Sequence, residues 1–382
     1  MADKPGRIRV IDQTLREGMQ FHGLVFSLEQ RIKMLEFQEM LGVDVCQAGY
    51  PSALDQEAAI VSALADHSRK KGFKIRIAAL GRTLASDADI LVKTRVDDPH
   101  FHFQIKKDMP EPVFLKALDQ VQALFAHVKE KLPLSQISLA MLDMGKTDPQ
   151  QLATSVKCLD LFPHLSILSL ADTSGIMAPN QVFDRIRALA PKAGHLKLGV
   201  HCHNDMGMAS ANSLTGILAG AQILEASVLG IGERNGIADL YTTAKLLDAQ
   251  GIRTGLDLDN PKGFTAYYTY VNQIVGEQTG LNLMDYPCPV FGAAVKTHVA
   301  GTHAQGDFGT RDSEYFFLNP LCGKGLIKQF LDKNKIPYPG DTLESITLAV
   351  KQASMDKGRA LLKEEVYDLV RKTICKTNPD LI

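Results

Sequence analysis

Two histidines at alternate positions, His201 and His203, stand in the run His201-Cys202-His203-Asn204-Asp205, directly after an apolar stretch, Leu196–Val200, that reads as a strand. Successive strand side chains point to opposite faces, so the two imidazoles share one face and Cys202 takes the other. Such a pair lacks only a carboxylate to make a three-ligand site for a divalent cation. Asp12-Gln13-Thr14-Leu15-Arg16-Glu17-Gly18 follows the first apolar run and offers Glu17. One carboxylate and two neutral imidazoles suit a Lewis acid acting on a bidentate oxygen ligand. Arg16, beside Glu17, would set a guanidinium against developing negative charge. The alternatives are a pair of hydrogen-bonded core histidines and a salt bridge at Arg16.

Two further loops carry groups of interest. Gly230-Ile231-Gly232-Glu233-Arg234-Asn235-Gly236 follows the last strand candidate. Its glycines let the backbone turn sharply towards a site, where Glu233 and Arg234 either orient a ligand or pair with each other. Lys296–Gly306, followed by Tyr315, holds His303. A histidine and a phenol on a loop suit acid–base work over a site, although spacing alone equally fits surface residues.

A strand-end carboxylate and a strand-end histidine pair so far apart in sequence meet only if the strands close into a ring. Short β-rich runs recur at Arg7–Asp12, Val43–Gln47, Lys74–Ala79, His100–Ile105, Ile137–Leu142, Ile167–Ala171, Leu196–His201 and Ile223–Val228. Helical spacing fills the intervals, as in Ser27–Met40, Leu54–Lys70, Pro112–Lys131, Asn180–Ala190 and Ala209–Ala219. This is the α/β pattern of a (β/α)8 TIM barrel, whose sites gather at the carboxyl ends of the strands. A doubly wound open sheet is the rival, but no Gly-x-Gly-x-x-Gly follows the first strand, and the polar residues cluster after many strands. Arg253–Gly263 reads as a linker, beyond which the alternation gives way to a mostly helical C-terminal appendage with a loop-rich centre. The expected division is a catalytic barrel over 1–255 and a subdomain over 256–382.

The net charge of −1 gives no electrostatic case for nucleic acid or acidic membranes. No apolar run reaches transmembrane length, and Met1–Arg9 is too polar for a signal peptide. Six cysteines with no Cys-x-x-Cys pair support neither a disulfide framework nor a zinc knuckle, so a reducing cytoplasm is expected.

The motifs together, Asp-x-Thr-Leu-Arg-Glu-Gly-x-Gln at 12–20, His-Cys-His-Asn-Asp-x-Gly-x-Ala at 201–209, Gly-Glu-Arg-Asn-Gly at 232–236 and the histidine-bearing loop at 298–306, resemble the DRE-TIM metallolyases. Within them the chain is similar to the Claisen-condensing branch of isopropylmalate, homocitrate and citramalate synthases. The resemblance implies Glu17, His201 and His203 as ligands of Mg, Mn or Zn, and Arg16 as the group that stabilises an enolate or alkoxide. It implies Gln20 and Thr173 as contacts of a 2-oxo acid. His303 and Tyr315 would be supplied by the appendage to the neighbouring barrel of a homodimer, with acetyl-CoA as co-substrate. The implied chemistry is proton removal from the acetyl methyl, attack on the ketone and hydrolysis to a 2-hydroxy dicarboxylate-type acid and CoA.

The chain also departs from that pattern. Gln47 replaces a strand-two acid; Leu139-Ala140-Met141-Leu142-Asp143 replaces a serine-rich stretch ending in Glu-Asp; Ser138 stands at the homocitrate-synthase arginine. Lys107-Asp108 replaces a Thr-Ser pair, Ile237 an asparagine, and Met19 a frequent glutamate. Apolar strand-five residues suggest an apolar or small acceptor, whereas Lys107 could pair with an acidic one. The leucine-pathway allosteric domain is not expected in a chain of 382 residues. A carbon–carbon lyase or aldolase on the same metal, or a non-catalytic binding homologue, are the competing readings.

Overall fold

A computed structural model describes residues 6–104, 111–285, 287–293, 295, 297–298 and 315–377; at 111–112, 298, 315 and 375–377 it describes the backbone alone. Eight parallel strands close a barrel in chain order: β1 (Arg9–Asp12), β2 (Val45–Gln47), β3 (Arg76–Arg82), β4 (Asp98–Phe103), β5 (Ile137–Met141), β6 (Leu165–Asp172), β7 (Lys197–Cys202) and β8 (Ile223–Ala226). Pairing of β1 with β8, from Arg9 beside Ile223 to Asp12 beside Ala226, completes the ring. The rival open sheet is thereby excluded.

Eight helices follow the strands: α1 (Leu28–Met40), α2 (Asp55–Lys71), α3 (Ala85–Thr94), α4 (Glu111–Lys131), α5 (Pro149–Asp160), α6 (Pro179–Leu189), α7 (Ala209–Leu218) and α8 (Leu240–Ala249). Their starts are chemically marked. Ser27 and Gln30 form a reciprocal capping box on α1, and the carboxylates of Asp148 and Asp239 cap α5 and α8.

The period of two along each strand sorts the barrel interior into tiers. Ile11, Val45, Ala78, Ile167 and Ile223 form an apolar floor. Two residues further on, towards the carboxyl ends, come Gln13, Gln47, Leu80, Ser169 and Glu225, of which the four polar ones are buried. The interior thus turns from apolar to polar as it approaches the mouth, where the chemistry of such barrels resides.

Helix α9 (Pro261–Thr279) belongs with the barrel, and the compact unit runs past position 255 to Asn282. The reason is hydrogen bonding as well as apolar burial. Tyr267 donates its hydroxyl to Asp12 at 3.0 Å and accepts from Gln38, while Tyr268 donates to Asp239 at 2.9 Å. Asp12 in turn accepts from the Thr14 amide and hydroxyl, and Thr14 accepts from the Val228 amide, so the start of the chain is stitched to the end of β8.

The second compact unit, Leu283–Ile382, contains α10 (Lys324–Lys333), α11 (Leu343–Lys357) and α12 (Lys363–Thr377) around Leu326, Ile327, Phe330, Ile346, Val350 and Val366. A two-strand parallel pair, β9 (Thr297–His298) with β10 (Tyr315–Phe316), lies in the same unit. Among the described residues no helix is long and apolar enough to cross a membrane.

Candidate active site

The barrel mouth encloses a cavity of about 480 Å³, and Arg16, Glu17, Gln20, Thr173, His201, His203 and Glu233 all line it. Seven of the ten expected site residues therefore converge on one space. Lys107 and His303 lie outside the described residues, and Tyr315 is described only as a backbone position in β10.

His201 is in β7 and His203 lies just past its end. As strand alternation predicts, both imidazoles face the cavity, with their Nε2 atoms 3.3 Å apart, while Cys202 is buried at 0% exposure. Glu17 follows β1 in a tight turn, its amide bonded to the Gln13 carbonyl at 2.7 Å. Ligating atoms of Glu17, His201 and His203 all lie within 4.8 Å of one another, and the three side chains are buried.

Behind His201 stands Glu225, which accepts from Nδ1 at 3.1 Å. A carboxylate only accepts, so Nδ1 carries a proton and Nε2 is the ring atom left to face a ligand. Glu225 also accepts from Gln13 and from the Ser169 hydroxyl. Burial works most strongly against its charge, yet the His201 hydrogen bond, the fields of His201 and His100 and the Ser169 hydroxyl hold its carboxyl down at about 2. Burial, followed by the neighbouring His201, pushes His203 down to about 4, leaving it neutral near pH 7 as a metal ligand must be. Glu17 is opposed by burial too, but Arg16, the two histidines and the Glu233 amide bring its carboxyl below the ordinary value. Two imidazoles, one ionised carboxylate and a carboxylate orienting one imidazole form a donor set that fits a divalent cation.

The glycine loop comes close for a physical reason. A Cβ at Gly232 would stand 3.0 Å from Glu17 Cγ, and Gly236, at φ +80°, would drive a Cβ to 1.8 Å from the Gly230 carbonyl. That approach lets the Glu233 amide donate to Glu17 Oε1 at 3.1 Å. The Glu233 carboxylate itself is 55% exposed and 3.6 Å from Arg234. Arg234 forms a bidentate pair with Asp205 at 2.7 and 2.9 Å and donates to the Thr173 carbonyl at 2.6 Å.

Arg16 is held on three sides, by Gln47 through Nε, by Gln13 through Nη2 and by Glu17 through Nη1. Gln20, with its amide nitrogen towards Glu17, reaches the two carboxylate oxygens at 2.9 and 2.8 Å. The Thr173 hydroxyl accepts from the Asp143 amide at 2.9 Å, which leaves its own proton to donate elsewhere.

Several lining residues escaped the motifs. Glu225 is one, although a lone carboxylate inside Ile223-Leu224-Glu225-Ala226, in phase with the inward face, is a readable signal. His100 and His102 are others; they repeat the His-x-His spacing on β4, and His100 meets the Ser138 hydroxyl at 2.7 Å. Burial, the dominant influence, pushes His100 down to about 4. Leu80, Arg82, Ala140, Leu142 and Ala171 complete much of the remaining wall.

The family model described as HMGL-like matches residues 7–262. A probable 2-isopropylmalate synthase of Methanosarcina acetivorans is 26% identical over 98% of this chain and 73% of its own length. A chloroplastic methylthioalkylmalate synthase 2 of Arabidopsis thaliana is 28% identical over 82% of this chain and 64% of its own. Among solved structures, a hydroxymethylglutaryl-CoA lyase of Pseudomonas aeruginosa superposes with a TM-score of 0.61 at 18% identity, covering 73% of this chain and 96% of that one. This last likeness is one of fold.

Proposed function

This chain belongs to the HMGL-like family, and we propose that it condenses acetyl-CoA with a 2-oxo acid to give a 2-hydroxy dicarboxylate-type acid and CoA. The observation that carries the reading is the convergence of Glu17, His201 and His203, with Glu225 behind them and Arg16 beside them. Relatives named as synthases of substituted malates, aligned over most of the chain, support the condensing direction over carbon–carbon cleavage.

Glu17, His201 and His203 would hold the divalent cation, which when bound supplies Lewis acidity towards a ketone. Arg16, fixed by Gln13 and Gln47, lies in the same cavity and stabilises the oxyanion that grows on the former keto oxygen. Thr173 donates its free hydroxyl proton to the acceptor's carboxylate, and Gln20 adds a polar contact. We assign the removal of the acetyl methyl proton to His303 or Tyr315. The new carbon–carbon bond forms as that C–H bond breaks and the carbonyl electrons move to oxygen, which then takes a proton. Water finally cleaves the thioester, with the thiol leaving as CoA. We further propose that the second unit serves the barrel of a partner in a homodimer, and that the enzyme works in the cytoplasm. A fully active species with the solution mass of one chain would refute the dimer.

The decisive experiment follows thiol release from acetyl-CoA with pyruvate, 2-oxobutyrate, 2-oxoisovalerate, oxaloacetate and 2-oxoglutarate, each with Mg, Mn or Zn. Release dependent on an oxo acid and on a metal is the expected result. Silence across the panel from metal-loaded protein would overturn the reading.

A further inference from the structure

We infer that the acceptor is a 2-oxo acid with an electrically neutral side chain, and that Leu142 and His102 set this preference. The inference rests on the condensation reading and concerns the arc of wall formed by β3, β4, β5 and β6. That arc presents Leu80, Ala140, Leu142 and Ala171 to the cavity. His102 stands between Arg82 on β3 and Ala140 on β5 in the strand register.

The guanidiniums lining the cavity are already committed. Arg16 is paired with Glu17 and held by Gln13 and Gln47 beside the cation site, where it serves the keto oxygen and not the acceptor's side chain. Arg82 makes two hydrogen bonds, at 3.0 and 2.9 Å, to Asp87, whose carboxylate is only 1% exposed. Neither imidazole of β4 offers charge: His100 is buried against Ser138, and burial together with Arg16 lowers the basicity of His102. Three carboxylates, Glu17, Glu225 and Glu233, share the lining with those two guanidiniums. A second carboxylate on the acceptor would lose its water and find, among the described lining residues, no guanidinium whose charge is not already paired with a carboxylate. A hydrocarbon or thioether chain meets no such penalty on Leu80, Ala140 and Leu142.

The test uses the full-length, Mg-loaded protein with two readouts, thiol release and calorimetric binding of each oxo acid. Neutral acceptors (2-oxoisovalerate, 2-oxohexanoate and 2-oxo-4-methylthiobutyrate) are expected to exceed 2-oxoglutarate and oxaloacetate in kcat/KM by at least about 100-fold. Leu142→Arg, and independently His102→Lys, should each raise 2-oxoglutarate relative to the neutral acids by about 10-fold or more, because each supplies the missing cation. Leu142→Gln, polar but uncharged, should bring no such gain. Thermal melting identifies a variant that has not folded, and the other then decides. A wild-type preference for dicarboxylic acceptors, including one removed by Lys107→Ala, would overturn the inference and leave the condensation standing. Calorimetric selectivity for neutral acids without thiol release would keep the inference and sink the condensation. Binding of no acid at all would sink both.

Discussion

The two arcs of the barrel mouth are built differently. Along β7, β8 and the turn after β1, polar side chains hold one another: Glu225 receives Gln13, Ser169 and His201, while Arg16 bridges Gln13, Gln47 and Glu17. Along β3 to β5 the wall offers Leu80, Ala140 and Leu142 beside His100, His102 and the paired Arg82, and Gln47 next to it keeps a buried Nε2 with no partner among the described residues. A buried charged network fails when one member is lost, because the others stay buried and unpaired. An apolar wall tolerates exchange at the cost of shape. On the proposed reading the first arc fixes which reaction occurs, and the second what is accepted.

The hardest test of this division removes a ligand. His203→Ala should bring bound metal from one equivalent to near zero and lower thiol release by about 1,000-fold or more. Metal analysis and initial rates check it, and the loss should be the same for every acceptor. A loss confined to some acceptors would break the assignment of reaction to one arc and selectivity to the other.

Acidity reaches the second arc through His100. Its imidazole, pushed down by burial to about 4, is neutral in the folded protein over a range where the unfolded chain's imidazole takes a proton. The unfolded state binds more protons there, so the metal-free protein should lose stability as pH falls from its ordinary value near 6.5 towards 4. The loss is on the order of 3 kcal/mol for this one group. Glu225, whose carboxyl sits at about 2, acts with the same sign but only below its ordinary value of 4.5. Melting curves of apoprotein between pH 7 and 5 measure the slope. His203, also pushed down to about 4, adds a slope of the same sign in the metal-free protein, so His100→Asn should lessen the slope without abolishing it; an unchanged slope would show that His100 carries none of it.

Glu225→Gln sharpens the account of the first arc. The amide retains the size of the carboxylate but not its charge, and it donates as well as accepts, so the tautomer of His201 is no longer fixed. Metal affinity should fall by about 10- to 100-fold while the fold persists. A metal titration followed by calorimetry reads this directly, and an affinity within twofold of wild type would remove Glu225 from the site.

The sequence revealed the first arc more fully than the second, for physical reasons. Paired histidines, a carboxylate after the first strand and close-packed glycines obey local spacing rules, and a ring was the one arrangement able to unite them. Glu225 was legible only through strand phase, as a charge in an apolar run. Arg82 gave no sign that its charge is cancelled, because Asp87 lies in the following helix and the pairing depends on its burial there. The place of α9 was hidden as well: Tyr267 reads as an ordinary amphipathic helix residue until its hydroxyl is found on Asp12.

The smallest effect belongs to Arg234, which spans the rim between β6, β7 and β8. Its pair with Asp205 is partly exposed, with side chains at 39% and 24%, so water and salt screen it. Replacement by glutamine should therefore cost less than about 1 kcal/mol in stability. The donation from Arg234 to the Thr173 carbonyl has a different consequence. Thr173 is oriented from two sides, by Arg234 at its carbonyl and by the Asp143 amide at its hydroxyl. With one removed, the hydroxyl still points inward but less narrowly. Arg234→Gln should raise KM for the oxo acid by about 3- to 10-fold with kcat little changed, since the contact is made equally to substrate and transition state. Arg234→Lys keeps the charge but not the fork and should recover only part of the loss. A fall in kcat at constant KM would instead place Arg234 with the groups that meet the developing oxyanion, and the rim would then belong to the reacting arc.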